Sequence, residues 1–234
     1  MTEREVAERA LSFARANKKQ IARRWADKAV YAAEAEPVSV FMAGSPGAGK
    51  TEASIELLET FKPGKILRID PDELRSEFPE YAGRNSALFQ PAVSVLVEKI
   101  HDLALEQQQS FILDGTLSNH ERARRNVERS LGRQRTVQIL YVYQSPMLAW
   151  QFVQSREASE GRHIQPEVFL EQYFAARQVV NRLKQEFGPR VAVDMLMKNI
   201  DNSSRFYRAG VDQVDHHIPE IITRVELEHQ LGLT

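Results

Sequence analysis

With 234 residues, 42% hydrophobic and 27% charged, the chain has room for one large α/β domain, or one domain with a helical appendage. A net charge of −1 excludes a global pull toward nucleic acid or an acidic membrane surface, and the lack of cysteine excludes disulfides and thiolate metal sites. No apolar run approaches the ~20 residues that span a bilayer, and the polar, mixed-charge start MTEREVAERALSFARANKK is no secretory signal; the expected location is the cytoplasm, with no membrane partner.

Residues 2–35 read as helix, because Val6, Ala10, Phe13, Ile21 and Trp25 recur near helical spacing between Lys and Arg. Pro37 ends that segment. From Val38 the pattern changes to strands alternating with helices. Strands are expected at 38–43, 65–70, 111–114, 135–143 and 190–198, and helices at 50–61, 87–108, 119–131, 145–158, 166–187 and 219–231. The division is therefore an N-terminal helical extension, 1–36, and an α/β domain, 37–234. Such alternation predicts an α/β fold: a mostly parallel, twisted sheet with helices on both faces. Ligands then bind beyond the carboxyl ends of the strands.

The first strand runs into Gly44-Ser45-Pro46-Gly47-Ala48-Gly49-Lys50-Thr51, the G-x-x-x-x-G-K-[ST] form of a P-loop. Its glycines let the backbone curl and aim N–H groups at phosphate oxygens. Lys50 is placed to reach the β- and γ-phosphates and the Thr51 hydroxyl to ligand Mg²⁺, while a helix starting near Gly49 adds its positive end. A strand before the loop and a helix after it (EASIELLETF) supply the required context. The loop predicts binding of a nucleoside triphosphate, ATP or GTP.

The second strand ends in Arg68-Ile69-Asp70-Pro71-Asp72-Glu73-Leu74-Arg75. Asp72 can cap a short helix, Glu73 to Phe78. The functional alternative has one carboxylate take a proton from an attacking hydroxyl while the other helps place Mg²⁺. The third strand delivers Asp114-Gly115-Thr116, where Asp114 reads as a Walker B magnesium ligand, a substrate contact or a plain Asp-Gly turn. Arg156 and Arg162 flank Gly161 between two helices and read either as two solvated surface arginines or as the lid of a small-molecule kinase, which their position in the fold favours. Arg122, Arg125 and Arg129, with Arg124, Arg133 and Arg135 nearby, read as a solvated face paired with Glu121 and Glu128, which makes nucleic acid an unfavoured partner. Asp215-His216-His217 lacks a fitting ligand set elsewhere and reads as structural.

The P-loop, the Asp-x-Asp pair in IDPDELRSEFPEY with its Pro79 and Tyr81, the acidic-Gly-Thr strand end and the arginine lid, in this order, resemble the zeta toxin family over about residues 37–210. Members of that family are P-loop kinases of bacterial toxin–antitoxin systems, described as phosphorylating the 3′-hydroxyl of the sugar in UDP-N-acetylglucosamine. The resemblance implies ATP and Mg²⁺ as cosubstrate and cofactor, a sugar nucleotide as acceptor and a small helical antitoxin as partner. It makes Asp72 the general base and Asp70, with Thr51, support for the metal. Asp114 and Thr116, with Asp72 and Arg75, would meet the acceptor, and Arg156 and Arg162 would stabilise the transferring phosphoryl group. Asp114 stands where well-known members carry Glu, the two arginines are closer together than in them, and segment 1–36 has no obvious counterpart in the minimal toxin. For that segment a structural brace is the preferred reading. Two other functions compete: a kinase of another acceptor (nucleotide, antibiotic or polynucleotide end), and an NTP-switched binding module.

Overall fold

The computed structural model describes residues 2–61, 64–198, 205–219 and 222–233. Helix α1 (Glu3–Trp25) is followed by β1 (Val38–Ala43), α2 (Lys50–Glu59), β2 (Ile66–Ile69), a 3₁₀ turn Glu73–Glu77, α3 (Ser86–Glu106) and β3 (Ser110–Leu113). Then come α4 (His120–Leu131), β4 (Thr136–Tyr143), α5 (Pro146–Glu160), α6 (Pro166–Phe187), β5 (Val191–Lys198), β6 (Arg205–Arg208) and α7 (Arg224–Gln230). Among the described residues, six strands form one sheet in the order β2-β3-β1-β4-β5-β6. All neighbours are parallel except β5 and β6. β1 is central, so the loop leaving it opens into the crevice between the crossovers to either side.

The central strands alternate inward faces. Phe41, Ile139 and Tyr141 join the main core with α1, α3, α4 and α6, whereas Val40, Met42, Leu140 and Val142 face α2 through Ala48, Ala53, Leu57 and Leu58. Both faces are thus covered, which is why these strands read as continuous apolar runs. A third cluster ties α5, α6 and α7 together through Ala149, Phe169, Tyr173 and Leu227.

α1 is built as its pattern requires. Thr2 and Glu5 form a reciprocal capping box, and Ala10, Ala14, Ile21 and Ala22 are buried against α3 within the main core. The helix ends at Trp25, ten residues short of the expected 35. Ala26 leaves the helical conformation at φ −100° and ψ 41°, and beyond it the Asp27 carboxylate accepts from the Ala29 N–H at 2.9 Å, a local side-chain turn that follows the helix end. β6 escapes the sequence pattern because all four of its residues are exposed and show no in–out alternation. The last helix covers Arg224–Gln230 of the expected 219–231; residues 220 and 221 lie outside the described residues. Arg135 does not belong to a solvated arginine face. It is buried, donating to Ser39 Oγ at 2.7 Å, to the Val38 carbonyl at 3.1 Å and to the Gln109 carbonyl at 2.6 Å. Arg129 pairs with Asp102 on α3, while Arg124 bridges Glu128 and Glu186.

Candidate active site

The loop Gly44–Gly49 joins the end of β1 to the start of α2, with Gly49 in the left-handed region at the helix entrance. Gly47 also has positive φ, +73°, and a Cβ there would overlap the Ala149 carbonyl oxygen, so the loop's crest lies directly on the first turn of α5. Ser45, Pro46 and Ala48 are buried in the loop walls. Lys50 donates to the Ser45 carbonyl at 2.7 Å, holding its ammonium inside the loop's curl. Burial lowers the Lys50 ammonium to about 8; Asp114 and Asp72 oppose the shift, and Arg162 and Arg156 add to it. All four side chains therefore lie within electrostatic reach of the P-loop lysine.

Beneath the loop lies an ion network that the sequence reading did not single out. Arg68, on buried strand β2, pairs with Asp70, with Asp114 at 2.8 Å and with Glu73. Its Nε donates to Ser54 Oγ at 2.8 Å, and that hydroxyl lies 3.1 Å from Asp114 and 2.9 Å from the Thr51 carbonyl. Burial and the neighbouring Asp114 push Asp70 up to about 6, against the pull of Arg68. An arginine inside the run KILRID was the available signal: a charge in a doubly covered strand must be paired or coordinate something. The chemistry of this set fits a divalent cation held partly by nucleotide phosphates. Thr51 opens α2, and two crowded carboxylates sit below it; Mg²⁺ takes one or two protein ligands and keeps water and phosphate for the rest. Among the described residues no group of three or more His, Cys, Asp or Glu could enclose a metal alone.

Asp72 begins the 3₁₀ turn but makes no capping bond with its side chain. Its carboxylate is instead gripped by guanidiniums: Arg75 on Oδ1, Arg162 on Oδ2, and Arg156 at 3.5 Å from Oδ2. Burial alone would raise its pKa, but Arg162, Arg75 and Arg156 outweigh it and hold the acid below the usual carboxylate range. Arg75 is fixed in turn by Gln90 of α3 at 2.9 Å, and Arg156 by Glu160 at 3.1 Å. α5 ends at Gly161, and Arg162 follows it. The loop before α3 packs against this end: Gly83 has a φ of +65°, and a Cβ there would overlap the Glu160 carbonyl oxygen. α5 therefore spans the site from the P-loop to the wall opposite.

Lys50, Asp72, Arg75, Arg156 and Arg162 are thus brought together, with Asp70 and Asp114 on the floor. Thr116 stands apart from that cluster. Its carbonyl accepts from the Gly44 N–H at 3.2 Å, and its hydroxyl lies 2.9 Å from Ser118 Oγ. The backbone there is held in an unusual state, with Leu117 at a φ of +53°. Lys198, at the end of β5, is a further buried cation missed in the sequence; it donates to the Gly49 carbonyl at 3.2 Å. Asp215 pairs with Arg177 and Asn181, which fits a structural role for that segment.

The zeta toxin family model matches residues 22–212. The chain belongs to the zeta toxin family. Among solved structures it is similar to one from the PezAT chromosomal toxin–antitoxin system of the human pathogen Streptococcus pneumoniae: 17% identity, TM-score 0.61, covering 98% of this chain and 93% of that one. It is also similar to AvrRxo1-ORF1:AvrRxo1-ORF2 with sulphate ions, at 16% identity and TM-score 0.62, covering 92% and 72%. The same complex with ATP matches at 15% identity and TM-score 0.60, covering 91% and 70%. These likenesses establish the P-loop kinase type of fold. No curated protein matches the chain in sequence. In this zeta toxin family chain, no described helix is long and apolar enough to cross a membrane.

Proposed function

We propose that the chain is an ATP-dependent phosphotransferase that moves the γ-phosphoryl group onto a sugar hydroxyl of a nucleotide-activated sugar, with UDP-N-acetylglucosamine as the first acceptor to test. The observation that carries this reading is the placement of Asp72, a half-buried carboxylate directed at two lid arginines and within electrostatic reach of the P-loop lysine. A binding module needs a phosphate cradle but no proton acceptor beside it. In-line transfer needs both, because the acceptor hydroxyl must lose a proton as its oxygen attacks and the equatorial phosphoryl oxygens carry the charge.

The residues divide the work as follows. The loop amides and Lys50 hold the β- and γ-phosphates of ATP; Thr51 with Asp70 and Asp114 would hold Mg²⁺, which neutralises phosphate charge. Arg156 and Arg162 leave Asp72 for the γ-phosphoryl oxygens when these arrive, since a multiply charged phosphate competes well for a guanidinium fork. Freed of two cations, Asp72 becomes more basic and accepts the proton from the hydroxyl. The acceptor oxygen bonds to the γ-phosphorus, the bond to the β,γ-bridging oxygen breaks, and ADP leaves. Arg75, anchored on Gln90, remains to orient Asp72 and to meet the acceptor. The solved relatives named for toxin–antitoxin and ORF1:ORF2 assemblies support a toxin role with a small antitoxin partner.

The test incubates purified protein with ATP and Mg²⁺ against a panel of sugar nucleotides, nucleotides, antibiotics and oligonucleotides, with mass spectrometry reporting added phosphate. Phosphate on UDP-N-acetylglucosamine that disappears in Asp72→Asn is the expected result. Phosphate on another member moves the acceptor and keeps the mechanism. ATP binding without transfer to any member would sink the phosphotransferase reading.

A further inference from the structure

The 3₁₀ turn that carries Asp72 and Arg75 is held from behind by α1. Trp25, the last residue of that helix, donates its indole N–H to Glu77 Oε1 at 2.7 Å, and Arg24 pairs with Glu77 Oε2. Burial raises the Glu77 carboxyl, but Arg24 and Trp25 outweigh it and hold the group below its ordinary value. Further along the same helix Phe13 packs edge-on against Phe78 at 5.7 Å, and Arg9 pairs with Glu80 at 2.9 Å. Phe78 passes the contact on to Phe89 of α3 at 5.4 Å, as does Tyr81 at 5.7 Å. Leu74, between Asp72 and Glu77, is fully buried in the cluster that contains Ala10, Ala14 and Ile21. Every contact that holds residues 77–80 from the α1 side thus comes from one helix, and none of these α1 residues touches the P-loop in the contacts described.

We propose that α1 positions the catalytic turn: the Trp25–Glu77 hydrogen bond, inside the Phe13–Phe78 packing, sets where Asp72 and Arg75 stand relative to the acceptor hydroxyl. This rests on the phosphotransferase reading. Trp25 and Glu77 are positioning residues and touch no reacting atom. The 3₁₀ turn needs such an anchor. It is five residues long, has no side-chain cap, and carries a carboxylate pulled outward by three guanidiniums. A displacement of about an ångström at an acid–base group can cost up to about a hundredfold in rate. The exposed Arg24 arm contributes little, because exposed ion pairs are weak; the half-buried indole bond is the specific element.

The test uses the full chain with ATP, Mg²⁺ and UDP-N-acetylglucosamine, or whichever acceptor the panel returns, in Trp25→Phe, Glu77→Ala and Glu77→Gln. Trp25→Phe keeps an aromatic ring in the core and removes the N–H; Glu77→Gln keeps an oxygen to accept it. The first two variants should lose about tenfold in acceptor kcat/KM while the KM for ATP stays within about twofold, and Glu77→Gln should restore most of the loss. Wild-type acceptor kinetics in both Trp25→Phe and Glu77→Ala, or an ATP KM that rises in parallel, would overturn the proposal. If the wild type transfers phosphate to no acceptor, the phosphotransferase reading fails by itself. The positioning claim is then decided by the backbone amide NMR shifts of Asp72 and Arg75 in the full chain. Movement of both resonances in Trp25→Phe and Glu77→Ala, and their return in Glu77→Gln, supports the anchor; unmoved resonances refute it.

Discussion

Residues 44–51 and the carboxylate of Asp72 face each other across one site, yet they are held in contrasting ways. The phosphate loop is contiguous. Its shape follows from glycine backbone, a strand before it and a helix after it, and its lysine is parked on a carbonyl five residues away. The surroundings of Asp72 are assembled from distant segments: Trp25 from α1, Asp72 and Glu77 from the 3₁₀ turn, Gln90 from α3, and Arg156 and Arg162 from the end of α5. What joins these segments is charge and packing. One half of the site can therefore be preserved by a short motif, while the other depends on the whole domain being folded and closed.

Four experiments break or sharpen that contrast. Lys50→Ala should have the largest effect, taking phosphoryl transfer below detection because it removes the ammonium held inside the loop's curl on the Ser45 carbonyl; retained turnover in a coupled ADP assay would refute its role. Asp72→Asn should preserve ATP affinity by calorimetry and lose about 10²- to 10⁴-fold in kcat, the range for a positioned general base. Unchanged turnover there would remove Asp72 from the mechanism. Among the lid arginines, Arg162→Gln should cost more kcat than Arg156→Gln, roughly tenfold or more for the first, with smaller changes in ATP affinity. The asymmetry follows from geometry: Arg162 is the more deeply seated on Asp72, whereas Arg156 is shared with Glu160. Equal losses would mean that the closed lid rearranges both.

The smallest predicted effect lies away from the site. His101, buried between Phe41 and Phe111, has its pKa lowered to about 3 by burial and by Arg129, Arg135 and Arg133. A folded-state pKa below the unfolded value near 6.5 means that the neutral imidazole's contribution is fully present above pH 6.5 and is lost progressively as pH falls toward 3. Between pH 7 and pH 5 this amounts to about 2 kcal/mol. Asp70, raised to about 6, acts with the opposite sign and cancels in the difference between wild type and His101→Leu. Denaturant unfolding at both pH values should show a shallower acid loss in His101→Leu. Parallel curves would show that His101 takes up a proton without cost.

The legible parts of the sequence are those where function sits on consecutive residues. The P-loop, the alternation of strands and helices, the Asp-x-Asp pair and the arginines around Gly161 can all be read along the chain, because hydrophobic period and turn chemistry are local. α1 was legible as an amphipathic helix but not in its end point, where the backbone turns away at Ala26. The short exposed strand β6 left no alternating signal. The burial of Arg135 could not be seen either, since an arginine after a helix reads the same whether it faces water or three oxygen acceptors.

By itself, then, the sequence determined a nucleotide-binding loop at the end of a central strand and the residue types that phosphoryl transfer requires. Only the tertiary structure decided their relations: Arg68 tying Asp70 to Asp114 under the loop, three guanidiniums converging on Asp72, and α1 standing behind Glu77. The physical reason is range. Backbone conformation and hydrophobic period are set by near neighbours, but a carboxylate's protonation and aim are set by charges within a few ångströms, and folding brings these from anywhere in the chain.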